Sequence, residues 1–221
     1  YVGSDYGDDI MGTRYDAGSA QGFVDTGSLD VGAYAIGLSY GKSLTDKFSI
    51  GLQIKYASQK LGENLLPEGT TSQNKVSGVA YDFGTIFYPG FKSFRMGMAI
   101  RNFSPEFKYV QEGFELPLTF VLGFAMDIMD LLGEHKSPLI LSVDALHPRD
   151  FTERIHVGAE YTLLEMISLR AGYKFNYDNE SLCAGVGFQK DVGGIKLDVG
   201  YSYGSMEYFD AINRIAVGIS F

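Results

Sequence analysis

The sequence predicts an all-β chain: an antiparallel transmembrane β-barrel of the outer-membrane type. Three observations carry that expectation. The 221 residues include 28 Gly, 15 Tyr and 16 Phe but only 6 Pro and no Trp, a mixture suited to strands and tight turns and poor in helix formers. From residue 31 onward the chain resolves into about eleven segments of about ten residues, each alternating in polarity and bounded by Gly, Asp, Asn, Pro or Ser. The two longest links, over residues 58–75 and 103–115, fall on the same end of the implied sheet, and tight turns fall on the other, as in bilayer-spanning barrels.

Residues 1–30 read as an acidic, Gly- and Asp-rich segment, with Asp5, Asp8, Asp9, Asp16, Asp25 and Asp30 balanced only by Arg14. Counting strands back from the C-terminus places this segment outside the cell. Residues 31–221 then form the C-terminal part of a single barrel domain. In "FSIGLQIKY", Phe48, Ile50, Leu52, Ile54 and Tyr56 alternate with Ser49, Gly51, Gln53 and Lys55. The same rule runs through "FRMGMAIRN" (94–102), "ISLRAGYKFNY" (167–177) and "IKLDVGYSY" (195–203). The final stretch, "NRIAVGISF" (213–221), is again a strand, with Ile215, Val217 and Ile219 on one face.

Alternation leaves the sense of the faces open. A soluble barrel encloses its apolar row, whereas a membrane barrel turns that row outward. Composition favours the membrane barrel: one row is almost wholly Ile, Leu, Val, Phe, Tyr and Met, with aromatic residues near strand ends. The other row mixes glycine with charges of both signs. The charged candidates for the lumen are Lys55, Asp82, Arg95, Arg101, Asp144, Glu160, Arg170, Lys174 and Asp198. Ion pairs that fill a narrow interior explain such a row as well as a selectivity or ligand-binding feature does.

Other classes are excluded or weakened. A net charge of -9 opposes nucleic-acid binding, which needs a basic surface. Cys183 is the single cysteine, so no internal disulfide forms. No apolar run is long enough for a helical span, because Asp127 and Asp130 interrupt the greasiest segment. "GYSYG" (200–204) matches a nucleophile-elbow pattern, but Ser202 lies within a strand and all three histidines precede it, which is the wrong order. The histidines have no ligand spacing, and "SDYGDDIMG" lacks the calcium-loop register. No catalytic residue, metal site or cofactor is expected.

The segments "LTDKFSIGLQIKY" (44–56), "YDFGTIFYPGF" (81–91), "MGMAIRNFSP" (96–105), "LPLTFVLGFAM" (116–126), "HPRDFTERIHVGAEY" (147–161) and "LRAGYKF" (169–175), in that order, resemble the PorV/PorQ family of outer-membrane barrels. The resemblance implies a FadL-like barrel of about fourteen strands, of which about eleven are present, the N-terminal strands being absent. This agrees with the topology, in which an odd number of strands is missing from the front. It also implies that Ile215, Val217, Ile219 and the terminal Phe221 are the signal read by the barrel-assembly machinery. The expected location is the outer membrane, with its lipid bilayer as a partner. The expected function is a non-enzymatic component of type IX secretion that binds translocon proteins or cargo C-terminal domains through its loops. A FadL-like transporter of a hydrophobic or small solute is the alternative; it predicts an apolar pocket.

Overall fold

The computed structural model describes residues 1–5, 11–65, 71–109, 112–133 and 137–220. Sixteen strands are present: β1 (Val2–Asp5), β2 (Met11–Tyr15), β3 (Phe23–Ser28), β4 (Val31–Thr45), β5 (Phe48–Leu65), β6 (Thr71–Phe87), β7 (Arg95–Phe103), β8 (Phe107–Tyr109), β9 (Glu112–Phe114), β10 (Thr119–Asp127), β11 (Leu139–Pro148), β12 (Arg154–Leu163), β13 (Ile167–Phe175), β14 (Glu180–Val192), β15 (Ile195–Met206) and β16 (Ile212–Ser220). Twelve form one sheet, in the order β1-β4-β5-β6-β7-β10-β11-β12-β13-β14-β15-β16. The hairpins β2–β3 and β8–β9 stand apart as two small sheets. The all-β, antiparallel expectation holds. β4–β7 and β10–β16 are the eleven segments read from residue 31 onward.

Two features differ from the sequence reading. Val2–Asp5 is itself a strand, paired antiparallel with β4 through Val2↔Ala35 and Ser4↔Ala33, so the sheet begins before residue 31. β5 and β6 run to 18 and 17 residues and take in most of the 58–75 link. In the sequence that link is mostly polar, with Leu61, Leu65 and Leu66 at no period of two, so it carries no strand signal.

The turns follow from backbone chemistry. Gly193 and Gly194, at φ 65° and 87°, supply the two left-handed residues that a two-residue hairpin between β14 and β15 requires. Asp191 accepts a hydrogen bond from the Gly194 N–H at 3.1 Å. After β10, Asp127 caps a short 3-10 turn (Ile128–Leu131), accepting from the N–H of Met129 at 3.0 Å and of Leu139 at 2.9 Å. That one carboxylate ends one strand and starts the next.

The described chain forms two compact units: residues Tyr1–Tyr40, Gly51–Phe83 and Arg101–Leu118 make the first, and Gly41–Ile50, Gly84–Ile100 and Thr119–Phe221 the second. In each, burial settles the sense of the faces. Along β5, Leu52, Ile54 and Tyr56 are exposed whereas Gly51, Gln53 and Lys55 are half-buried. Along β11, Leu141, Val143 and Ala145 are exposed and Ser142, Asp144 and Leu146 half-buried. Among the described residues the buried apolar side chains are Ala80, 1% exposed, Phe107, 7% exposed, and Pro148 at the end of β11. A water-soluble barrel would invert this pattern, so the apolar rows face a solvent that is itself apolar. Among the described residues no helix is long and apolar enough to cross a membrane.

On β16, the last strand in the order, Ile215 is 77% exposed against 45% for Ile54 on β5, which has a neighbour on each side. Val217 and Ile219 share that face, and Phe221 lies outside the described residues.

Candidate functional site

The half-buried polar rows hold most of the charged candidates, and strand register decides which of them meet. In the first unit, Lys55 on β5 and Asp82 on β6 form an ion pair of 2.7 Å. Asn102 on β7 joins it twice: its side-chain oxygen accepts from Lys55 Nζ at 2.6 Å, and its backbone N–H donates to Asp82 at 2.8 Å. Asn102 sits at φ 61°, a left-handed conformation that asparagine tolerates. Its amide nitrogen also donates to the Pro117 carbonyl at 3.1 Å.

In the second unit, Glu160 and Arg170 are direct cross-strand partners of β12 and β13, 2.5 Å apart. The Arg170 guanidinium lies over glycines: a Cβ on Gly187 would come 3.1 Å from its Nη1. These glycines make room for a long side chain. Lys174 pairs with Glu180, a partner that sequence reading missed. Beside it, His156 Nε2 and the Tyr177 hydroxyl are 2.7 Å apart, and Arg154 lies between the Phe151 and Tyr177 rings, 4.4 and 4.2 Å from their centroids. Arg95 and Asp144 line one cavity of about 180 Å³. Gly123 gives Asp144 its place, since a Cβ there would stand 2.4 Å from the carboxylate. Arg101 and Asp198 are exposed and make no ion pair among the described residues. Ser202 of the G-x-S-x-G stretch is cross-strand to Arg214 inside β15 and β16. Among the described residues no group of three or more His, Cys, Asp or Glu is placed to hold a metal.

The feature that sequence reading did not anticipate lies in the first unit. The link after β7 reads as an outward loop, yet it forms the β8–β9 hairpin, with Phe107↔Phe114 and Tyr109↔Glu112 in register. The hairpin turns back onto the face that carries Lys55 and Asp82. The Phe107 ring fills the space above Gly78, where a Cβ would fall 1.8 Å from its Cε1. The Tyr109 hydroxyl donates to Gln59 at 3.1 Å, and burial raises its pKa above the usual tyrosine value, so it remains a donor. Tyr109 stacks on Phe114 at 5.3 Å, and Phe107 meets Phe114 at 5.8 Å. Between hairpin and strands lies an apolar pocket of about 290 Å³, with Ala33, Ala35, Ala57 and Val76 below and Phe107, Phe114 and Leu116 above. The run of small residues Gly78 and Ala80 on β6 was the available clue.

Over residues 20–207 the sequence matches the family described as type IX secretion system membrane protein PorP/SprF. The six quoted segments pointed to PorV/PorQ; the match to PorP/SprF agrees with that resemblance at the level of type IX secretion. No curated protein matches the chain. Among solved structures, the crystal structure of the Ralstonia pickettii toluene transporter TbuX resembles it with a TM-score of 0.52 at 13% identity, over 90% of this chain and 70% of that one. This likeness shows the fold.

Proposed function

Because the chain belongs to the type IX secretion system membrane protein PorP/SprF family, we propose that it is a non-enzymatic outer-membrane component of that system, whose exposed strand connections bind translocon proteins or cargo C-terminal domains. The family match over residues 20–207 carries this reading. The exposed apolar rows supply the membrane part of it: large aliphatic and aromatic side chains on both units require lipid. The protein-binding part draws on the connections of the second unit, where Phe151, Tyr208 and Phe209 are exposed at the same end of the sheet. Exposed aromatics of this kind anchor protein interfaces.

The test is to purify the full-length protein in mild detergent from its native outer membrane and identify what accompanies it by mass spectrometry. Translocon subunits or cargo C-terminal domains are expected, in amounts that fall in a Tyr208→Ala/Phe209→Ala variant that still folds. A stoichiometric small solute with no protein partner would overturn the reading. It would favour a second one, a FadL-like transporter of a hydrophobic or small solute, supported by the apolar pocket beneath β8–β9.

A further inference from the structure

We infer that the pocket beneath the β8–β9 hairpin is a binding site for one uncharged, largely apolar molecule about the size of a two-ring aromatic, and that the hairpin forms one wall of it. The inference goes beyond the secretion reading and deepens the second one, on whose pocket it rests; binding is read here without transport, so the site can stand where transport fails.

Size and chemistry select the ligand. The pocket measures about 290 Å³. An apolar cavity of about 150 Å³ stays dry and takes one benzene, so this one suits roughly twice that. Among the described residues that line it, none is charged. A charged ligand would lose its hydration there without gaining a counter-charge. The polar groups at hand, Ser4, Ser58 and Gln59, can serve one hydroxyl or carbonyl at most sites of contact but not an ion.

The construction is specific. Alanines where the alternation allows any size leave the floor empty, and Gly78 gives up its side chain so that Phe107 can seat. If the hairpin served only to cover the strands, larger side chains at Ala33, Ala35 and Ala57 would fill the void and add stability. A second cavity adjoins this one, sharing Ser4, Ala33, Tyr34 and Ser58, and is lined by Asp30, Lys60 and Lys75. It is the charged neighbour that the ligand's polarity must be tested against.

These 221 residues lack tryptophan, so in lipid nanodiscs the emission that a Phe114→Trp variant of the full-length protein adds over the unsubstituted full-length protein reports on the pocket. Titration with 1-bromonaphthalene, a neutral heavy-atom quencher, is expected to quench it saturably. Ala57→Phe, added to that variant, should weaken the quenching by about tenfold, and Ala35→Phe gives the same readout where Ala57→Phe fails to fold. An Ile54→Trp variant on the lipid-facing row should show only non-saturable quenching in proportion to probe in the bilayer. Linear quenching of the pocket tryptophan, insensitive to both pocket-filling variants, would overturn the site. Tighter competition by anionic 6-bromo-2-naphthoate than by the neutral probe would overturn the uncharged class and point to Lys60 and Lys75. None of these readouts depends on a secretion partner, so the site and the secretion role can fail separately.

Discussion

A single hydrogen atom decides the position of the β8–β9 hairpin. Gly78 presents no side chain, and the Phe107 ring occupies the space a Cβ would need. Gly78→Val should therefore unseat the hairpin, with a loss on the order of the 1.5–3 kcal/mol that burying a Phe contributes. The expected outcome is faster tryptic cleavage after Lys108, read by mass spectrometry of the folded protein, with the rest of the sheet resistant. The Lys55–Asp82 pair offers a second test at this scale. Each charge is half-buried and shares Asn102 as a third partner. Lys55→Ala leaves Asp82 without its counter-charge and should destabilise by about 1–3 kcal/mol. The double variant Lys55→Ala/Asp82→Ala should recover part of that loss in urea unfolding. Alternation alone assigned both residues to one row, whereas their meeting depends on inter-strand register, which no single strand encodes. For the same reason the partners of Arg170 and Lys174 were not legible, nor was it legible that Arg101 and Asp198 make no ion pair among the described residues.

At the scale of elements, the period of two was a faithful guide where one row was apolar. β5, β7, β13 and β15 lie where their alternation places them. Where the sequence has no period of two, as over residues 58–65 and 71–75, the strands continue because the ladder needs only backbone groups, and the sequence pattern falls silent. β8–β9 was hidden differently: three-residue strands are too short for a period to show. The faces themselves can be tested by a matched pair. Ile54→Lys sets a charge on the lipid row and should cost about 2–4 kcal/mol in folding into vesicles. Gln53→Lys, one residue away on the half-buried polar row, should fold nearly as the parent does, as scored by heat-modifiable gel mobility.

Across the whole molecule, strand order fixes which connections share an end. The β15–β16 connection, with Tyr208, lies opposite the β12–β13 turn, with Leu164. In an outer-membrane barrel with its short turns inside, Tyr208→Cys should react with an impermeant maleimide on intact cells and Leu164→Cys only after lysis. Reversed labelling would turn the docking surface to the wrong side of the membrane. The sequence resemblance reached the secretion system and settled on PorV/PorQ from six segments that are each a generic β-pattern; the match across residues 20–207 names PorP/SprF.

Ala80, Phe107 and Pro148 are the buried apolar side chains among the described residues, while Ile, Leu, Val, Phe and Tyr cover the outward rows. The apolar contacts that a globular domain makes with itself are thus made here with acyl chains. Thermal or chemical unfolding midpoints of this protein belong to a pair, chain and amphiphile together. They should rise as the detergent tail lengthens towards the hydrophobic span of the strands and fall again beyond it, with no change in the polypeptide.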